Sequence, residues 1–112
     1  MDYKKLELEI SMLHQQICPA LADPTRILIL YRLSEQSQCV NELVEAMQLP
    51  QSTISRHLGI LRGKNLVKTR REGTTIYYEL AEPRMIEMLN MMRSIVADQL
   101  AQSAEIVKTL QG

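Results

Sequence analysis

Large aromatic side chains are nearly missing: the 112 residues include no Phe and no Trp, leaving Tyr3, Tyr31, Tyr77 and Tyr78. A core built without them must be filled by Leu, Ile, Val and the seven Met, which favours packed helices over a sheet sandwich. Cysteine is also scarce. Cys18 and Cys39 are too few for a disulfide scaffold, and in a reducing compartment they form no permanent bridge. No apolar run approaches the roughly 20 residues that cross a bilayer. The opening MDYKKLELEI mixes charge with apolar residues where a secretion signal needs an uninterrupted apolar stretch. The reading is a cytoplasmic chain with no membrane partner. Its length suits one domain over 1–112 with one core. A Gly-rich phosphate loop, an HExxH pair and a nucleophile elbow are all absent, and His14 and His57 have no triad partner, so an enzyme is not expected.

Net charge is absent too, with 13 Lys and Arg against 13 Asp and Glu, but the charges are unevenly spread. Residues 51–75 carry Arg56, Arg62, Lys64, Lys68, Arg70 and Arg71 against Glu72 alone, a net +5 that the rest of the chain cancels. A basic segment therefore sits inside an acidic body. Its distribution, more than the sum, decides whether nucleic acid is a plausible partner.

Hydrophobic spacing organises the rest. Leu6, Ile10, Leu13 and Ile17 form the stripe of an amphipathic helix over roughly 3–19, with Asp2 as its cap. Asp23-Pro24 opens a second helix through TRILILYRL, whose Ile27-Leu28-Ile29-Leu30 run reads as buried on most sides. A short helix is expected over about 40–47 with Val40, Leu43, Val44 and Met47 on one face. Another begins near Gln51 with Ile54, Leu58 and Leu61 inward, making 40–63 a helix-turn-helix candidate. The segment 66–81 holds two β-rich runs about a Glu-Gly turn and reads as a hairpin. From Pro83 to about 110, Met85, Leu89, Met92, Val96, Leu100, Ser103, Val107 and Leu110 trace a nearly heptad stripe. The fold class is mainly α with a small β-hairpin, in the order of four helices, two strands and a final helix. The two terminal helices, 1–19 and 83–110, present seams best covered by a second copy, giving a two-fold homodimer through Leu6, Ile10, Leu13, Ile17, Met85, Leu89, Met92, Val96 and Leu100.

A helix entering the major groove of a duplex needs short hydroxyls for close approach and longer donors for base edges. Ser52, Thr53 and Ser55 supply the first; Gln51, Arg56 and His57 supply the second. A hairpin tip with Arg70, Arg71 and Thr74, extended by Lys64 and Lys68, would follow the phosphates beside it. His57 also admits a plainer reading, as a structural hydrogen bonder behind the helix.

The stretches ALADPTRILILYRL, ELVEAMQLPQSTISRHLGILRGKNLV and RREGTTIYYEL, over about residues 17–81, resemble the ArsR/SmtB family of winged-helix repressors. The resemblance implies a dimer joined by its first and last helices that occupies an imperfect palindromic operator on double-stranded DNA and leaves it when an effector binds. It also bears on the effector. The last helix has no His, only Glu87, Asp98 and Glu105, which weakens a zinc site there. At the start of the third helix, where relatives carry Cys-x-Cys, this chain reads Cys39-Val40-Asn41. Cys39, with Glu42 three residues on, stands where Ser or Thr would form a capping box, and a helix N-terminus favours thiolate. Cys18 reads either as a buried core thiol or as a second sensing group. No cofactor is required. Arsenite or another soft metal ion, reactive sulfur or an oxidant acting on Cys18 and Cys39, and an organic metabolite at the dimer seam stay open as effectors. A winged-helix module that contacts protein instead of DNA is the rival class.

Overall fold

Two aspartates start the first long helices. The Asp2 carboxylate accepts from the N–H groups of Lys4 and Lys5 at 3.1 and 3.2 Å. Asp23 accepts from Thr25 N–H at 2.8 Å, just ahead of Pro24, whose missing N–H is harmless in a first turn. The computed structural model describes residues 1–111. In it the elements run α1 (Tyr3–Gln16), α2 (Cys18–Leu21), α3 (Pro24–Glu35), β1 (Gln38–Cys39), α4 (Val40–Met47), α5 (Gln51–Gly63), β2 (Val67–Glu72), β3 (Thr75–Leu80) and α6 (Arg84–Gln111). They fall into two compact units, Met1–Glu82 and the segment from Pro83.

The first unit differs from the sequence expectation at three places. The first helix stops at Gln16 instead of running to 19, and a separate turn, α2, follows. Pro19 explains the break, because it has no N–H to give to the Gln15 carbonyl. That carbonyl instead accepts from Lys64 Nζ at 3.1 Å. The polar connector before α4 contains β1, whose Gln38 and Cys39 pair antiparallel with Tyr78 and Tyr77, so the hairpin becomes a three-stranded sheet of order β1-β3-β2. The Ile27-Leu28-Ile29-Leu30 run is not buried all round. Ile29 and Leu30 are fully buried, Ile27 is half-buried, and Leu28 is 56% exposed.

Ile29, Leu30, Leu43, Ile54, Leu58 and Leu61 form the fully buried centre. The heptad-like spacing of Ile54, Leu58 and Leu61 turns one side of α5 inward and leaves Gln51, Ser52, Ser55 and Arg56 exposed. Two backbone devices then set the sheet beside it. After α5, Asn65 takes the left-handed conformation (φ 61°), with Asn65 N–H donating to the Arg62 carbonyl and Leu66 N–H to that of Leu61. This is a Schellman ending, with Asn supplying the left-handed residue glycine usually provides, and it aims the chain into β2. At the hairpin tip Glu72 pairs with Thr75 across a two-residue loop opened by Gly73 at φ 62°, the position that demands glycine.

In the second unit α6 spans 28 residues, roughly 42 Å at 1.5 Å per residue. Met85 and Leu89 are buried, whereas Met88, Met91, Met92, Ile95, Val96, Leu100, Ile106, Val107 and Leu110 are exposed. Met85 and Leu89 are the two expected seam positions of this helix that are not exposed. The helix α1 has no buried residue: Ile10 and Leu13 are exposed, and Leu6 and Ile17 are half-buried. No helix among the described residues is long and apolar enough to cross a membrane.

Candidate nucleic-acid interface

The start of α5 is open. Pro50 precedes it with no side-chain cap, so the first-turn N–H groups of Gln51 and Ser52 are left for solvent or for an anion aligned with the helix dipole. Ser52, Ser55 and Arg56 are exposed along the same helix, and Thr53 is half-buried. Arg62 is exposed seven residues after Ser55 and so extends this face, a point the sequence reading left out. An open cleft of about 260 Å³ joins this helix start to its neighbours: Gln51 lines it together with Cys39, Val40 and Asn41 of the α4 start and Thr74, Thr75 and Ile76 of the hairpin. The tip of the hairpin and the first turn of α5 are thus adjacent, which the order of residues alone did not establish.

Three of the expected DNA-facing residues are engaged elsewhere. His57 is 2% exposed, and its Nδ1 lies 3.1 Å from the Arg26 guanidinium, so it does not face a groove. Its position explains this: three residues after Ile54 and four before Leu61, it sits within the apolar stripe. Burial pushes its imidazole below the ordinary histidine range; Asp23 opposes that shift, and Arg56 and Arg26 reinforce it. Lys64 is half-buried and bridges back to α1, its Nζ on the Gln15 carbonyl and its own carbonyl accepting from Gln16 Nε2 at 3.1 Å. Arg70 pairs with Glu72, donates to Ser37 Oγ at 3.1 Å and lies 5.2 Å from the Tyr77 ring centre, which fixes it along the sheet. Arg71 and Thr74 are exposed at the tip, Arg71 Nε bonding the Gly73 carbonyl at 3.1 Å. Lys68 is exposed with Glu79 at 3.7 Å, a separation worth little at a solvated surface.

Both thiols are free. Cys18 is exposed, against the reading of a buried core thiol, and Cys39 is half-buried. Cys39 occupies the N-cap of α4, where its N–H donates to Glu42 Oε1 at 3.0 Å. That backbone bond, with the Cys39 side chain adding to it, holds the Glu42 carboxyl below its ordinary value. No group of three or more His, Cys, Asp or Glu placed to hold a metal occurs among the described residues.

A helix with an exposed hydroxyl and arginine face, an uncapped N-terminus and a basic hairpin tip at its side suits a phosphate-lined groove. The family model for the arsR family of bacterial regulatory proteins matches residues 23–69. The HTH-type transcriptional regulator MJ1325 of Methanocaldococcus jannaschii is 40% identical over 78 residues, covering 69% of this chain and 88% of that protein. A transcriptional repressor SmtB homolog of Synechocystis sp. is 43% identical over 84 residues, covering 75% of this chain and 61% of its own. Among solved structures, the homodimeric winged helix-turn-helix DNA-binding domain of Mb0332 from Mycobacterium bovis superposes with a TM-score of 0.72 at 27% identity, covering 89% of this chain and 90% of that one. With these relatives and this arrangement of helices and hairpin, the chain belongs to the ArsR/SmtB family of winged helix-turn-helix transcriptional regulators.

Proposed function

We propose that the chain works as a homodimeric repressor that reads an imperfect palindrome with α5 and leaves it when Cys39 is chemically modified by reactive sulfur or an oxidant. The observation that carries this reading is the cleft shared by Cys39, Gln51 and Thr74–Ile76. A group added to this sulfur enters the junction between the α4 start, the first turn of α5 and the hairpin tip. Displacing any of the three disturbs the surface offered to DNA, and an effector needs only about 1–3 kcal/mol of coupling to act this way. The exposed apolar stripe of α6 from Met92 to Leu110 and the uncovered face of α1 support the second copy.

Replacing Cys39 by Ser tests the sensing role. Serine caps a helix better than a thiol does, so Cys39→Ser should keep DNA affinity within about twofold and gain about 0.5–1 kcal/mol of stability. Release by polysulfide or peroxide should disappear. Undiminished release of the variant by both, followed by fluorescence anisotropy of a labelled duplex, sinks the thiol reading. A second substitution pair separates reading from gripping. Arg56→Ala should weaken the selected duplex by about 1–3 kcal/mol and a scrambled duplex much less, whereas Arg71→Ala should weaken both and lower the salt slope by about 1. Equal losses on both duplexes for both variants would remove the division of labour.

A further inference from the structure

We infer that Arg26 is a positioning residue for α5, acting through His57 to set the angle at which that helix presents Ser55 and Arg56. The inference rests on α5 being the DNA-reading helix. Arg26 is only 9% exposed, and its guanidinium is used on three sides. Nε donates to the Ala20 carbonyl at 2.7 Å, one terminal nitrogen donates to the Pro19 carbonyl at 2.9 Å, and the other lies 3.1 Å from His57 Nδ1. The two carbonyls belong to the α2 turn, so the planar group is fixed from one side before it meets α5.

Chemistry assigns the roles in the third contact. Arginine has only donors, so His57 Nδ1 must accept, which leaves the ring neutral with its proton on Nε2, facing Asp23 Oδ2 at 3.9 Å. The groups around the ring are Asp23 and Arg26 from the start of α3 and Arg56 from α5 itself. A doubly protonated ring would set N–H against N–H and lose the contact. Burial favours the neutral form, so the contact holds at neutral pH.

Why this matters for recognition follows from the kind of force involved. Ile54, Leu58 and Leu61 hold α5 against the core by apolar burial, which is not directional and tolerates a small roll about the helix axis. A hydrogen bond donated to His57 by a guanidinium already pinned by two carbonyls is directional and resists that roll. Arg56 is the residue immediately before His57. Base contacts need atoms placed to within a hydrogen bond, whereas attraction to phosphates survives a shift of that size. Loss of the Arg26–His57 contact should therefore reduce discrimination between sequences and leave the salt-dependent grip intact.

The test uses the full-length protein, the duplex that wild type selects from a random pool, and a scrambled duplex of the same composition. Asn places an acceptor near the Nδ1 position of His, and Gln places one near Nε2. His57→Asn should keep the selected-to-scrambled affinity ratio within about twofold of wild type; His57→Gln should lower it about tenfold with an unchanged salt slope. Arg26→Lys should lower it at least tenfold, and adding His57→Gln to Arg26→Lys should cost nothing more. The wild-type ratio should hold from pH 8 down through the ordinary histidine range and fall only below it, because burial lowers the pH at which His57 takes a second proton, while His57→Asn stays flat. All variants are compared after thermal melting shows them folded. Undiminished discrimination by His57→Gln, additive losses in the double variant, or parallel pH profiles for wild type and His57→Asn each overturn the inference. Failure of wild type to select any duplex overturns both this inference and the function it rests on.

Discussion

Binding to the selected duplex should weaken by roughly 10³- to 10⁵-fold between 50 and 200 mM salt. The expectation comes from counting the cations that remain available. Of the six in residues 51–75, Lys64 is held against α1 and Arg70 against Glu72, Ser37 and Tyr77. Arg56, Arg62, Lys68 and Arg71 stay exposed, which gives about eight in a two-fold pair and a slope of log K against log[salt] near −7. A single chain with four contacts would give about half that slope. Titrations at four salt concentrations measure it directly. A loss below about tenfold over this range would mean that the basic segment does not neutralise phosphates. The winged-helix module that contacts protein would then be the better description.

The two cations left out of that count, Lys64 and Arg70, show how far the sequence could be read. Spacing alone placed the helices and the hairpin, because Leu and Ile at helical intervals and β-branched residues about a Glu-Gly turn each have one favourable arrangement. Charge type, by contrast, does not say where a long side chain ends. Lys64 reaches a carbonyl on α1 that is free only because Pro19 lacks an N–H, a contact 49 residues apart in the chain. Arg70 is diverted by neighbours on the sheet, one of which, Ser37, precedes a strand too short to leave a periodic signal. His57 and Arg26 were legible in principle. His57 lies within the stripe of Ile54, Leu58 and Leu61, and Arg26 lies three, four and seven residues before the buried Ile29, Leu30 and Leu33. Two polar residues on two inward faces are a signal for a buried pair; the plainer reading of His57 as a structural hydrogen bonder named one member, and its partner Arg26 went unread.

The other large effect concerns the wedge on which the reading surface rests. Leu58 is fully buried and follows His57 and Arg56 on α5, so Leu58→Ala removes packed volume directly beneath the exposed face. Such truncations cost about 2–5 kcal/mol, because the transfer term is joined by a cavity the surroundings only partly close. Against a total stability of about 5–15 kcal/mol, that is enough to leave a large unfolded fraction on warming. Leu28→Ala makes the comparison: the same change at a side chain 56% exposed should cost well under 1 kcal/mol. Urea unfolding at one fixed protein concentration compares the two, since a dimer's apparent stability depends on concentration. Similar losses at both positions would show that Leu28 is covered by something the single chain lacks. In that case the exposed side of α3 would be an interface, and the assembly would extend beyond α1 and α6.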